Sequence, residues 1–508
     1  MRRAHGVVAV LTLSFLALPS CRGDDARPPQ AELAARDTTY NPWCASGMQA
    51  QLCPHVPHEV DVTLPDGYSG LIPADQVRFD DFSWQSFVAL NWPAGSDGRP
   101  LGTDFRANPG APRVWEGYQD AITVFRGGEP IPCNAGGGKM LVQMAKNGQV
   151  VDPDGSFDEA VGGPLIDRDL NFAVYEKKMN PDEARFVTEN GYTTVQGQAK
   201  ADSIRFPVGF YTDSAHTQGP VGSMEIKATW RVVQPADSAR FYTRAAVLYV
   251  PAAHSATGQP LCLNTTVGLV GMHILHKTQN FPSWIWSTFE HVDNAPQCLP
   301  GQTGACGDST TFSFYNSECT TCQLNAPASS GSDSTFLWEP DPPHARRYAT
   351  GGRYGSQITR TQAVPSFTDS TSRAWQQRVQ GTVWANYRLI GSQWQVRHLD
   401  VPGGGSRNVP DTLRNSTLES FIPDTSSCLG CHGAFASSAA KDGSGDFSFL
   451  LGMAGKGLTS LPPGVARRIA RAGSQPATRA HAGAGAPGGA PGGRDTAMGR
   501  DTARTRPR

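Results

Sequence analysis

In "DDFSWQSFVALNWP", residues 80–93, Trp84, Phe87, Val88 and Asn91 recur at helical spacing behind acidic and serine positions, and Pro93 stops the run. The pattern predicts a short amphipathic helix. From about Ile122 to Leu399 the pattern changes. The runs "SMEIKATWRVV", "RFYTRAAVLYVPAA", "SWIWSTFEHV" and "TVWANYRLIGSQWQVRHL" are rich in β-branched and aromatic residues and are separated by Gly, Pro, Asp and Asn. Such runs predict strands, hence a mainly β fold with a largely antiparallel sandwich or barrel-like core and short helices. No repeat of solenoid or propeller period is present.

The two ends of the chain follow other rules. "MRRAHGVVAVLTLSFLALPSC" sets Arg2 and Arg3 before an apolar run from Val7 to Leu18. This is the plan of a secretory signal, and the run is too short to span a bilayer. Leu18-Pro19-Ser20-Cys21 resembles a bacterial lipobox, although Pro19 departs from its usual residues. A membrane tether through lipidated Cys21 and ordinary cleavage nearby both stay open, as does a buried N-terminal helix. Residues 21–42 are polar and aperiodic, as a flexible tether is. Residues 43–424 are the expected β-rich body, and 425–461 a short segment packed on it. Residues 462–508 form an Ala/Gly/Pro/Arg tail with nothing to build a core, expected to be disordered.

Composition adds charge and redox address. The 508 residues are 39% hydrophobic with a net charge of -1, which gives no global bias toward nucleic acid. The tail holds nine Arg against two Asp, or +7, so the remainder carries -8. A basic arm for an acidic partner or membrane surface and a plain solvated extension are both open readings of it. Of eleven cysteines, Cys44, Cys53, Cys133, Cys262, Cys298, Cys306, Cys319 and Cys322 form an even set once Cys21, Cys428 and Cys431 are set aside. In an exported protein these predict disulfides of undetermined pairing, including the quartet from Cys298 to Cys322, whose spacing lacks paired metal knuckles. The eleven tryptophans read as core and interface aromatics.

The densest chemistry lies in "SSCLGCHGAF", residues 426–435. Two thiols two residues apart can add to the vinyl groups of one haem, and the following His is delivered to the iron. From this composition the pattern arises by chance in about one chain in two hundred. Here the sequence resembles the c-type cytochromes, with Cys428 and Cys431 as thioether positions and His432 as proximal iron ligand, which implies one covalent haem c. A local disulfide between Cys428 and Cys431 is the alternative. "WQSFVALNWP", "WIWSTFEHVDN" and the late "CLGCH" together resemble secreted bacterial cytochrome c family proteins of unassigned function. The motif stands too near the tail for a standalone small helical cytochrome c domain, so the haem is expected to pack on the β-rich body.

The sixth ligand would separate carrier from enzyme. Candidates are His273, His276 and His291, within "GMHILHKTQNFPSWIWSTFEHVDN", and Met453. Each also reads as a structural residue, and His291 on a strand among apolar neighbours needs Asp293, a backbone carbonyl or a metal. A separate metal centre from His273, His276, Glu290 and His291 is the rival arrangement, though residues three apart on a strand face opposite ways. No Ser-His-Asp signature, nucleophile elbow, dinucleotide fingerprint or P-loop stands out. Three functions follow: an exported cytochrome, periplasmic or an outer-membrane lipoprotein, exchanging single electrons with redox partner proteins; a peroxidase- or oxygenase-like haem enzyme; and a surface binding protein with a structural haem.

Overall fold

The computed structural model describes residues 73–125, 163–298, 312–328, 336–349, 352–397, 406–422 and 426–454, with shorter pieces such as 52–60 and 138–142. The expected signal 1–20 with Cys21, the tether 21–42 and the tail 462–508 lie outside the described residues.

Nine strands build one sheet: β1 (Gln119–Asp120), β2 (Lys139–Val142), β3 (Val174–Met179), β4 (Met224–Val232), β5 (Thr243–Val250), β6 (Leu261–His276), β7 (Ile285–His291), β8 (Tyr387–Arg397) and β9 (Ser406–Val409). The order is β1-β3-β4-β6-β7-β8-β9, and β5 pairs with the first half of β6 while β2 runs parallel to β5. Every other pairing is antiparallel. The mainly antiparallel expectation is met, and the four quoted runs became β4, β5, β7 and β8. Two stacked sheets are not seen among the described residues, because helices cover the face a second sheet would have filled.

Directly opposed residues of antiparallel strands point to the same face. One face carries Ile226, Ile274 and Ile285, and the other carries Glu225 opposite Leu275 opposite Trp286, with Lys227 opposite His273 opposite Thr288 beside them. Helix α1 (Pro73–Leu90) covers the first face together with a later helix, Ser366–Arg378. The Trp84 ring lies 5.1 Å from Phe289, and Phe87 stacks on Phe289 at 4.2 Å. The amphipathic expectation for this helix is corrected, since Gln76, Asp80, Ser83, Gln85 and Ser86 are buried with its apolar residues. Most of these find internal partners: Ser83 Oγ meets Ser287 Oγ at 2.7 Å and Ser392 Oγ at 2.6 Å, and Gln76 Nε2 donates to Asp80 Oδ1 and Ser392 O.

Residues 413–420 and 426–454 cover the second face. Asn415 Nδ2 donates to Thr288 Oγ1 and to Phe289 O, both at 2.9 Å. Leu429, Ala440 and Leu451 cluster with Leu275, Trp284 and Trp286. Disulfides join Cys44–Cys53, Cys133–Cys262, Cys298–Cys306 and Cys319–Cys322, using all eight cysteines expected to pair. Among the described residues no helix is long and apolar enough to cross a membrane.

The approach of 413–420 to the sheet needs a residue without a side chain at 271, because a Cβ on Gly271 would lie 2.3 Å from Thr417 Oγ1. Gly271→Val is therefore expected to lower the unfolding free energy by about 1–3 kcal/mol through overpacking. Urea denaturation measures it, and an unchanged midpoint would show that this segment does not seat on β6.

Candidate functional site

The C-x-x-C-H motif opens a helix of about two turns, Cys428–Phe435. Ser427 is its N-cap: the residue is extended, and its hydroxyl accepts from Gly430 N at 3.1 Å. Leu429 is buried against Trp284 and Trp286, and its N–H donates to Gln393 Oε1 at 2.8 Å. With Leu429 facing inward, Cys428 and Cys431, three apart and hence neighbours on one side of the turn, are both partly exposed. They stand outside the four disulfides.

The imidazole of His432 is fixed from three directions. Nδ1–H donates to Phe447 O at 2.8 Å, and the rings of Trp286 and Phe449 lie at 4.3 and 4.4 Å. A carbonyl can only accept, so in the neutral ring the lone pair resides on Nε2. The carbonyl is aimed by a turn in which Asp446 and Phe447 have φ of 51° and 68°. Left-handed conformations in such residues cost of order 1–3 kcal/mol each and persist where surroundings overdetermine them. Here Asp446 Oδ2 takes Phe206 N at 2.7 Å and the buried ammonium of Lys277, while Asp446 O accepts from Trp284 Nε1 at 2.9 Å. Burial pushes the Asp446 carboxyl up and the Lys277 amine down, and each charge opposes the shift of the other.

A cleft of about 50 Å3 opens between His432, Phe449 and Leu450 on one side and Leu275, Trp286, His273 and the lysines Lys177, Lys178 and Lys227 on the other. The donor set fits a c-type haem: two partly exposed cysteines on one helix, then an imidazole whose Nδ1–H is held by a backbone carbonyl. The cleft as it stands holds about one or two waters. Seating a macrocycle on His432 requires Phe449 or Trp286 to swing off the imidazole.

The other candidates separate. His273 lines this cleft, with Nε2 3.5 Å from Glu419 Oε2. His276 lies on the opposite face, where it stacks with Phe82 and its Nε2–H donates to Val221 O at 2.6 Å. Burial drives its pKa down to about 4. His291 stands five residues from Trp286 along β7, about 17 Å away. Its Nε2–H donates to Arg240 O at 3.0 Å, Nδ1 accepts from Asp293 N at 3.2 Å, and Phe241 stacks at 4.1 Å. Burial again lowers its pKa to about 4. Met453 packs beside Ala121, Met179 and Ala184 as core filling. His276, His291 and Met453 are thus structural, and His273 alone of the four borders the cleft. The rival centre of His273, His276, Glu290 and His291 is dispersed as well, since Glu290 is engaged by Arg360 and Ser416. No group of three or more His, Cys, Asp or Glu among the described residues is placed to hold a metal ion.

Comparison of the chain with family models, with curated proteins and with solved structures found no match. The site therefore rests on its own residues.

Two of those residues carried no sequence signal. Glu225 borders the cleft, and the carboxyl of Glu183, on the helix Pro181–Glu189, lies near enough for its charge to be felt. Both carboxyls are fully buried. Burial raises both pKa values, Glu225 to about 7, and the neighbouring Glu225 adds to the rise at Glu183. Between pH 4.5 and about 7 the folded pair keeps a proton that the unfolded chain releases, so this stabilisation is complete below pH 4.5 and is lost as pH rises toward 7. The wild-type protein is expected to lose up to about 3 kcal/mol more across that window than Glu225→Gln. Urea midpoints measured in pH steps test this, and parallel profiles for the two proteins would refute the retained proton.

Proposed function

We propose that this protein is an exported mono-haem c-type cytochrome, periplasmic or an outer-membrane lipoprotein held through Cys21, that exchanges single electrons with redox partner proteins. The observation that carries the reading is the turn Cys428–Phe435, which presents two partly exposed thiols and fixes His432 through Nδ1. The haem iron supplies the one-electron chemistry. The chain's own part is to orient the imidazole through Phe447 O, to flank it with the rings of Trp286 and Phe449, and to place Lys177 and Lys227 beside it, whose charges suit carboxylates. Four disulfides agree with the oxidising compartment in which such attachment occurs.

The contact of His273 with Glu419 favours a second reading, a peroxidase- or oxygenase-like haem enzyme. An imidazole beside a carboxylate is suited to proton transfer, whereas the same imidazole released from Glu419 is suited to coordination.

Expressed with c-type maturation, the protein is expected to keep haem on a denaturing gel and Cys431→Ala to lose the second thioether. A haem-free wild-type band would end the proposal. Near-infrared magnetic circular dichroism of ferric wild type and His273→Ala then decides between carrier and enzyme. Loss of a bis-histidine signature in the variant supports the carrier. An iron with an open sixth position that binds CO once reduced, in both proteins, supports the enzyme.

A further inference from the structure

A cavity of about 200 Å3 lies away from the cysteine helix, between residues 360–368, Ile390 and Gly391 of β8, and the chain from Pro410 to Arg414. Its walls are mostly apolar, from Pro365, Phe367, Ile390, Pro410 and Leu413. The polar groups around it differ in how far they are used. Gln76 is saturated, with Nε2 on Asp80 and Ser392 and Oε1 on Trp394 Nε1. Arg360 is only 3% exposed, its Nη2 is on Glu290, and its Nε has no hydrogen-bond partner among the described residues.

Around Glu290, the acid paired with Arg360, cations outnumber the carboxylate. Arg388 stands opposite Glu290 in the β7–β8 register, so two guanidiniums share one carboxylate. That carboxylate also accepts from Ser416 N at 2.6 Å and Ser416 Oγ at 2.7 Å. Asp369, the other acid near Arg388, is paired with Arg373. Burial and then repulsion from Arg360 push the Arg388 pKa down to about 10. Arg388 Nε is likewise buried with no hydrogen-bond partner among the described residues. A buried donor without an acceptor costs free energy, and an anion relieves both the missing bond and the excess charge.

We infer that this cavity binds a small organic carboxylate, with its carboxylate toward Arg360 and its apolar part between Phe367, Ile390 and Leu413. The size fits one ring, since a dry cavity of about 150 Å3 accepts benzene. This site does not depend on the haem reading.

The test uses the full chain titrated calorimetrically with benzoate, with its neutral isostere benzamide, and again with Ala363→Trp. Ala363 lines the cavity from an exposed position, so tryptophan there plugs the mouth without entering the core. Benzoate is expected to bind with a Kd on the order of 1 mM or tighter, benzamide at least about tenfold more weakly, and Ala363→Trp not at all. Near-ultraviolet circular dichroism checks that the variant is folded. Absence of benzoate binding, equal affinity for benzamide, or unchanged binding by a folded Ala363→Trp would each overturn the proposal.

Discussion

Alternation along β6 is the constraint on which the rest of the molecule depends. The strand pairs with β4, β5 and β7, so its pleat divides the protein into two sides. Met272, Ile274 and His276 go to the side covered by α1, where desolvation keeps His276 neutral and bound to a carbonyl. His273 and Leu275 go to the other side and form part of the cleft at His432. A slip of one residue would exchange these sets, placing His276 beside the cysteine helix and His273 in the core.

On the cleft side, polar groups position what apolar packing alone leaves loose. A buried ion pair contributes little net stability, yet removing one partner strands a charge. The Lys277–Asp446 pair therefore acts as a locator: it holds a turn with two unfavourable backbone conformations, and that turn aims one carbonyl at one imidazole nitrogen. Glu290 does the same for residues 413–420 by accepting from Ser416 and Arg360 together. Glu290 stands on β7 and Lys277 directly follows β6, so the helix Cys428–Phe435 is positioned by the sheet although it is itself a short, partly exposed element.

What could be read from the sequence follows these physical differences. Runs rich in β-branched and aromatic residues, separated by Gly, Pro, Asp and Asn, announced β4, β5, β7 and β8, and the end of α1 was marked by Pro93. The burial of α1 on nearly all sides was hidden because Gln76, Asp80 and Ser83 look solvent-facing until partners such as Ser287 and Ser392, more than two hundred residues away, are known. The helix Ser366–Arg378 was missed because its Ser, Thr and Arg mask Trp375 as its main apolar anchor. Strand β6 was obscured by His273 and His276, which drew attention as a constellation although they face opposite ways. Cys428, Cys431 and His432 were legible as a motif. The group that orients His432 was not, because Phe447 acts through its backbone carbonyl, which leaves no trace in side-chain chemistry.

The narrowness of the cleft at His432 also bears on chronology. A space of about 50 Å3 admits water and no macrocycle, and the residues that close it, Phe449 and Leu450, belong to the same late segment that carries the thiols. For the cytochrome proposed above, the prosthetic group needs Phe449 or Trp286 off His432, as they are while residues 426–454 still lie off the sheet. The docking of Leu429, Ala440 and Leu451 then becomes the closing step of biogenesis. A sheet completed earlier, with Cys133–Cys262 already formed across its edge, would serve as the mould on which a loaded peptide is set.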